Sequence, residues 1–205
     1  MLRWMRPQLT DAVRAESLAL LSLAERQRCD STAAHRREAF LAGRWMLRQL
    51  ASELLGVAPD QVHLIASCPD CGREHGKPHV ADSRLQLALT HSADVVVAAA
   101  SWDAAVGIDV EPLDQPAAAV AAIGALTGED SLLRWTRIEA ILKADGRGLR
   151  VDPSRVALTL VADGESDGTG AWLEGTVTGS PTRYRVSEVE LTAGVRVSIA
   201  VAQPN

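Results

Sequence analysis

Two short stretches of this chain put carboxylates and a cation at spacings that chemistry can use. In Val106-Gly-Ile-Asp-Val-Glu111 the residue types alternate as along a strand. Val106, Ile108 and Val110 then face one way, and Gly107, Asp109 and Glu111 the other. Two carboxylates on one face, beside a glycine that leaves room, suit a divalent cation. Oxygen ligands of this kind favour Mg²⁺, which takes one or two carboxylates together with substrate phosphates. A solvated acidic strand has the same pattern, and for the hexapeptide alone it is the commoner explanation. In Trp135-Thr-Arg-Ile-Glu-Ala-Ile-Leu-Lys143, the residues Trp135, Glu139 and Lys143 stand four apart and form one stripe along a helix. Glu followed by Lys at that spacing is also the usual helix-surface ion pair. A third carboxylate with a cation beside it is nevertheless what a metal–pyrophosphate site requires.

The lysines sharpen the choice. Of 21 basic residues only Lys77 and Lys143 are lysine. In a chain so biased toward Arg and Ala, a retained lysine points to a need for its compact ammonium, which Arg does not reproduce. Lys143 lies on the stripe above. Lys77 lies in a stiff turn, Gly76-Lys77-Pro78, and Thr90-His91-Ser92 closes a strand further on. Small hydroxyls, a histidine and a lysine on turns are suitable phosphate donors.

These residues need elements to hold them. Leucine spacing predicts a short helix over 11–28 and a longer one capped by Ser31 or Thr32, with Phe40, Leu41, Leu47, Leu50, Leu54 and Leu55 on its apolar face and Gly56 at its end. Strands are expected over 62–65, 85–89, 95–100 and 106–110, with a Pro- and Gly-containing loop over 67–84. Thr127-Gly-Glu-Asp reads as a capping box for a helix reaching Ala144, and the rest as strands over 156–161, 171–177, 184–191 and 195–202. Residues 85–101 echo 184–203, each a strand–turn–strand ending in an apolar strand. The expected fold is therefore α+β. Two similar α+β subdomains, 1–112 and 113–205, would be related by a pseudo-twofold, each with a long helix packed on an antiparallel sheet.

Composition bounds the function. The chain has 205 residues, 47% hydrophobic and 23% charged, with a net charge of -5. That is a globular mixture with no overall basic field for a nucleic-acid backbone. No apolar run reaches the length of a bilayer span, the N-terminus lacks the apolar core of a signal peptide, and three cysteines do not make a disulfide framework. The expectation is a soluble, cytoplasmic monomer with no nucleic-acid or membrane partner.

In order, the motifs G-K-P, L-x-L-T-H-S, G-I-D-V-E and W-x-x-x-E-A-x-x-K-A-x-G-x-G-L resemble the 4′-phosphopantetheinyl transferases of the two-subdomain, surfactin-synthetase-activating type. Arg36 to Arg44 resembles the first basic helix of that family, so the likeness spans roughly 36–149. It implies transfer of 4′-phosphopantetheine from coenzyme A, the substrate, to a serine of an acyl or peptidyl carrier protein, with release of adenosine 3′,5′-bisphosphate. By the same resemblance Asp109, Glu111 and Glu139 coordinate Mg²⁺ on the pyrophosphate, Asp109 thereby contacting coenzyme A. Lys143 neutralises phosphate charge, and Glu139 is the candidate general base. Arg36, Arg44, Lys77 and His91 hold the phosphates of the adenosine end, while Gly76, Pro78, Thr90 and Ser92 shape the nucleotide pocket. Ile138 departs from the family, many of whose members carry lysine there, and this removes one phosphate contact.

Other readings compete. A non-catalytic paralogue binding coenzyme A or a carrier is favoured only by Ile138. A metal-dependent nucleotide phosphohydrolase needs the carboxylates but not the Lys and His positions. Cys68, Cys71, His75 and His79 form a C-x2-C-x3-H-x3-H set that offers four zinc ligands or, alternatively, a loop with reduced cysteines. Finally, Gln115 to Leu126 is apolar with Val120, Ile123 and Leu126 three apart. It either docks an acidic carrier beside Arg134 and Arg137 or packs into the core.

Overall fold

A computed structural model describes residues 1–92, 94–128, 131–161 and 172–204. The chain divides into two compact units, Met1–Asp103 and Ala104–Asn205.

The first unit begins with β1 (Leu2–Met5), followed by α1 (Asp11–Leu20), α2 (Leu23–Ser31) and α3 (Ala34–Leu55), then β2 (Leu64–Ile65), β3 (His79–Val80), β4 (Leu85–Ser92) and β5 (Val95–Trp102). Its sheet runs β1-β5-β4-β3-β2, antiparallel throughout. One face of α3 (Leu41, Met46, Leu47 and Leu50) is buried in a cluster with Leu85, Leu87, Val96 and Ala98 of the central hairpin. Each such aliphatic side chain contributes roughly 1.5–3 kcal/mol of transfer free energy. The single helix expected over 11–28 is two. Ser22 accepts from Glu25 N while the Glu25 side chain accepts from Ser22 N, and that reciprocal cap starts α2 afresh. Ser31 and Thr32 end α2 rather than capping α3, which opens after Ala33. β1 and β3 were not anticipated: β1 is too short to show periodicity, and β3 lies inside the Pro- and Gly-rich loop.

The second unit comprises β6 (Val106–Pro112), α4 (Ala117–Thr127), α5 (Leu132–Asp145), β7 (Val156–Leu160), β8 (Leu173–Val177), β9 (Arg183–Glu188) and β10 (Val195–Ala202). Its sheet, β6-β10-β9-β8-β7, has the same strand order as the first counted from its own first strand. The echo between 85–101 and 184–203 falls on β4–β5 and β9–β10, the last two strands of each unit. The expected α+β class with two similar halves is what the chain folds into. In the core Ile138, Ile141 and Leu142 of α5 meet Val156, Leu173, Val177, Tyr184 and Val186.

The break falls between Asp103 and Ala104, earlier than the expected division after Pro112, because β6 is a strand of the second sheet. Asp109 pairs with Ser198 and Glu111 with Arg196 of β10. The capping box at Thr127 is also corrected. Thr127 closes α4, donating its hydroxyl to Ile123 O, and Ser131 caps α5 by accepting from Arg134 N. Glu129 and Asp130 of that box, and Ala171 of an expected strand, lie outside the described residues.

Candidate active site

The second unit brings Asp109, Glu111, Glu139 and Lys143 together where α5 crosses β6. Strand alternation sends Gly107, Asp109 and Glu111 to the face that α5 covers. A Cβ on Gly107 would intrude on the backbone of Ala140, Lys143 and Ala144, so the missing side chain is what lets the helix lie flush. On α5, Glu139 and Lys143 are one turn apart. The Lys143 ammonium donates to Asp109 Oδ1 at 2.5 Å and stands 3.7 Å from Glu139 Oε2. Glu111 is held from two sides, accepting from Gln115 Nε2 (2.9 Å) and from Trp135 Nε1 (3.4 Å). Thr136 and Ser198, both fully buried, share a hydroxyl hydrogen bond of 2.8 Å that ties α5 to β10 beside the strand position of Asp109. Ile138 points away into the hydrophobic core. The residue that departs from the family pattern is thus a packing residue in this chain.

Charge in this cluster is unbalanced. Burial pushes the Glu139 carboxyl above the ordinary glutamate value; Lys143 opposes the shift, and the charges of Asp109 and Glu111 add to it. Glu111 is raised for the same first reason, burial, and then by Asp109, against hydrogen bonds from Trp135 and Gln115. Glu111 and Glu139, which resist ionising, together with the Asp109 carboxylate make a set of three oxygen donors that suits a hard divalent cation, and one lysine supplies only part of the missing positive charge. The chemistry of the donor set therefore fits Mg²⁺. Lys143 keeps about a third of its side chain exposed, which leaves its ammonium reachable from solvent.

The remaining expected site residues belong to the first unit. Gly76, Lys77 and Pro78 form the half-buried turn leading into β3, with Gly76 N donating to Ala66 O at 2.5 Å. Thr90 is buried in β4, and exposed His91 and half-buried Ser92 end that strand opposite Val96 and Val95. Because β3 and β4 are antiparallel, the chain just before His79 runs toward the His91 end of β4. Arg36 is exposed on the first turn of α3. Arg44 is different. It is buried, 3.6 Å from Glu25 and 5.3 Å from the centre of the Phe40 ring, and burial lowers its pKa. Glu25 also accepts from Arg48 at 2.6 Å, so both guanidiniums are committed to a buried carboxylate.

Sequence reasoning missed the supports. Ser198 lies far from the cluster in sequence and nothing local signals it, whereas Gln115 is only four residues from Glu111 and the turn between β6 and α4 brings its amide back to that carboxylate. Asp145, just past Lys143, accepts from the neighbouring Arg147 Nε (2.5 Å) and from the Tyr184 hydroxyl (3.3 Å), a partner 39 residues away that nothing local signals. Of the apolar stretch, Ile123 is buried, Val120 half-buried and Leu126 exposed. The segment divides between packing and surface rather than doing one or the other. Arg134 and Arg137 are half-buried.

No protein-family model matches the chain. Over 160 residues it is 31% identical to the 4′-phosphopantetheinyl transferase HetI of Nostoc sp. (strain PCC 7120 / SAG 25.82 / UTEX 2576). That match covers 67% of this chain and spans 64% of the relative's length. The similarity supports the 4′-phosphopantetheinyl transferase family. No helix among the described residues is long and apolar enough to cross a membrane.

Proposed function

We propose that this chain is a 4′-phosphopantetheinyl transferase that moves 4′-phosphopantetheine from coenzyme A to a serine of an acyl or peptidyl carrier protein. The observation that carries the reading is the convergence of Asp109, Glu111, Glu139 and Lys143 where α5 covers β6, with Asp109 and Glu139 buried and Glu111 and Lys143 half-buried. Asp109, Glu111 and Glu139 would hold the divalent cation, and Mg²⁺ held there would supply positive charge for the pyrophosphate oxygens.

The chain's own residues do the rest. The serine oxygen bonds to the β-phosphorus, the bridging oxygen leaves with adenosine 3′,5′-bisphosphate, and the serine proton passes to Glu139. Glu139, 3.7 Å from the Lys143 ammonium on the same helix face, is the carboxylate assigned that proton. Lys143 can exchange Asp109 Oδ1 for a phosphate oxygen, since its ammonium is reachable from solvent, and so neutralises charge as it develops. Lys77, His91 and Arg36 hold the adenosine phosphates, Lys77 the 3′-phosphate, while Gly76, Pro78, Thr90 and Ser92 shape that pocket. Arg44 is assigned a different part. Its ion pair with Glu25 braces α3 under Arg36 rather than contacting substrate.

The test is mass spectrometry of fatty-acid, polyketide and peptidyl carriers after incubation with coenzyme A and Mg²⁺. Each true partner gains one phosphopantetheine, EDTA abolishes the gain, and Mg²⁺ or Mn²⁺ restores it. Lys77→Ala should raise the Michaelis constant for coenzyme A, leaving turnover nearly unchanged, and should do so less for a substrate lacking the 3′-phosphate. Phosphopantetheine released without any carrier, or full transfer in metal-free buffer, overturns the reading.

A further inference from the structure

Outside the carboxylate cluster, Cys68, Cys71 and His75 bring two sulfurs and an imidazole nitrogen within 4.8 Å of one another. The backbone makes that grouping. Gly72 N donates to Cys68 O and Cys68 N donates to Arg73 O, both at 2.8 Å, so Cys68-Pro-Asp-Cys-Gly72 closes into a tight knuckle. Gly72 sits at φ +70, a conformation that side chains with a Cβ disfavour, which is why glycine follows the second cysteine. His75 N also donates to Arg73 O (2.8 Å), and its Nε2 comes to 3.0 Å from Cys71 Sγ. Glu74 clamps the base of the knuckle, accepting from Ala66 N (2.8 Å) and Ser67 Oγ (2.6 Å).

We propose that Cys68 Sγ, Cys71 Sγ and His75 Nε2 bind one Zn²⁺ ion, with a solvent oxygen in the fourth position. Tetrahedral zinc with the usual Zn–S and Zn–N distances sets its ligands roughly 3.6–3.8 Å apart. Cys71 and His75 therefore need to separate by about half an ångström, a small adjustment for two exposed side chains. Thiolate and imidazole select zinc, whereas the all-oxygen set in the second unit selects magnesium, so the two sites take different ions. His79, the fourth ligand suggested by spacing, lies instead on β3, paired with Ile65 and Gln86, and is not among the grouped ligands. Both sulfurs bind as thiolates, and any proton still on them passes to the buffer as the metal–sulfur bonds form. The ion would brace the loop that leads directly into Gly76-Lys77-Pro78. Nothing in this proposal depends on phosphopantetheine transfer.

The experiment counts metal. Full-length protein prepared in reductant and without chelator should carry one zinc per chain by elemental mass spectrometry. After stripping, it should take zinc back from a chromophoric chelator and give thiolate-to-metal charge-transfer absorption with Co²⁺. The Cys68→Ser/Cys71→Ser double variant should hold less than about one-tenth of an equivalent. His75→Ala should weaken binding by more than about 100-fold, beyond the effect of losing a mere outer-sphere partner. Cys29→Ser and Asp109→Asn should bind as wild type does, and circular dichroism should show the double variant still folded. Reduced wild-type protein that takes up no zinc, uptake unchanged in a folded double variant, or uptake lost in Asp109→Asn instead would each overturn the proposal.

Discussion

Replacing Gly107 with alanine tests whether α5 must lie flush on β6 for the cluster to exist. The new Cβ would meet the carbonyl oxygen of Ala140 and the amide nitrogen of Ala144 well inside the 3.0 Å that real Cβ atoms keep, and would stand 2.9 Å from the carbonyl carbon of Lys143. These are backbone atoms of a buried helix, so no side chain can swing aside. The helix must retreat by about 1 Å in an interior packed as densely as a crystal. Overpacking of that kind costs about 1–3 kcal/mol. For a domain of about 100 residues, that predicts a fall in melting temperature of roughly 4–20 °C. Asp109 stays with the strand while Glu139 and Lys143 move with the helix, so a displacement of about 1 Å should also cost on the order of 100-fold in transfer rate. Differential scanning fluorimetry and carrier mass spectrometry read the two effects separately. A variant that melts within about 2 °C of wild type and transfers at the wild-type rate would refute the argument that this glycine positions the site.

Glu139→Gln keeps the shape but removes the base, and should lower turnover far more than coenzyme A affinity. An acid whose folded pKa is raised keeps its proton more readily folded than unfolded, so its effect on stability is a loss that grows as pH climbs above the ordinary value of 4.5. Urea unfolding at about pH 5 and about pH 8 should therefore show a smaller decline for Glu139→Gln than for wild type, and saturating Mg²⁺ should shrink the wild-type decline; equal declines would remove Glu139 from the strained set. Glu25→Ala strands two buried guanidiniums, Arg44 and Arg48, and should cost about 3–5 kcal/mol in equilibrium unfolding, an outcome contradicted by a change below about 1 kcal/mol. If the outer side of α4 docks a carrier, Leu126→Asp should weaken carrier binding without moving the melting temperature, whereas Ile123→Asp should mainly destabilise; the reverse pattern would place docking elsewhere.

Alternation alone determined that Asp109 and Glu111 share a face with Gly107, and helical spacing alone determined that Glu139 and Lys143 share a stripe. Both are properties of backbone geometry that a single strand or helix already has. The α+β class followed for the same reason, since each long helix and each hairpin declares itself within its own segment. The partners of these residues depend on register and helix placement, which act across long stretches of chain. Only the paired strands show that Asp109 lies opposite Ser198 and belongs with the second sheet. Only the packed helix shows that Lys143 bonds Asp109, that Trp135 reaches Glu111, and that Ile138 is spent on the core. Arg44 makes the point most sharply. Its place in a basic helix suggests a phosphate contact, but the capped turn at Ser22 sets Glu25 beside it, and the buried guanidinium is balanced by that carboxylate and lies against the Phe40 ring. Local periodicity assigns a residue to a face; what covers that face is decided by segments remote in sequence.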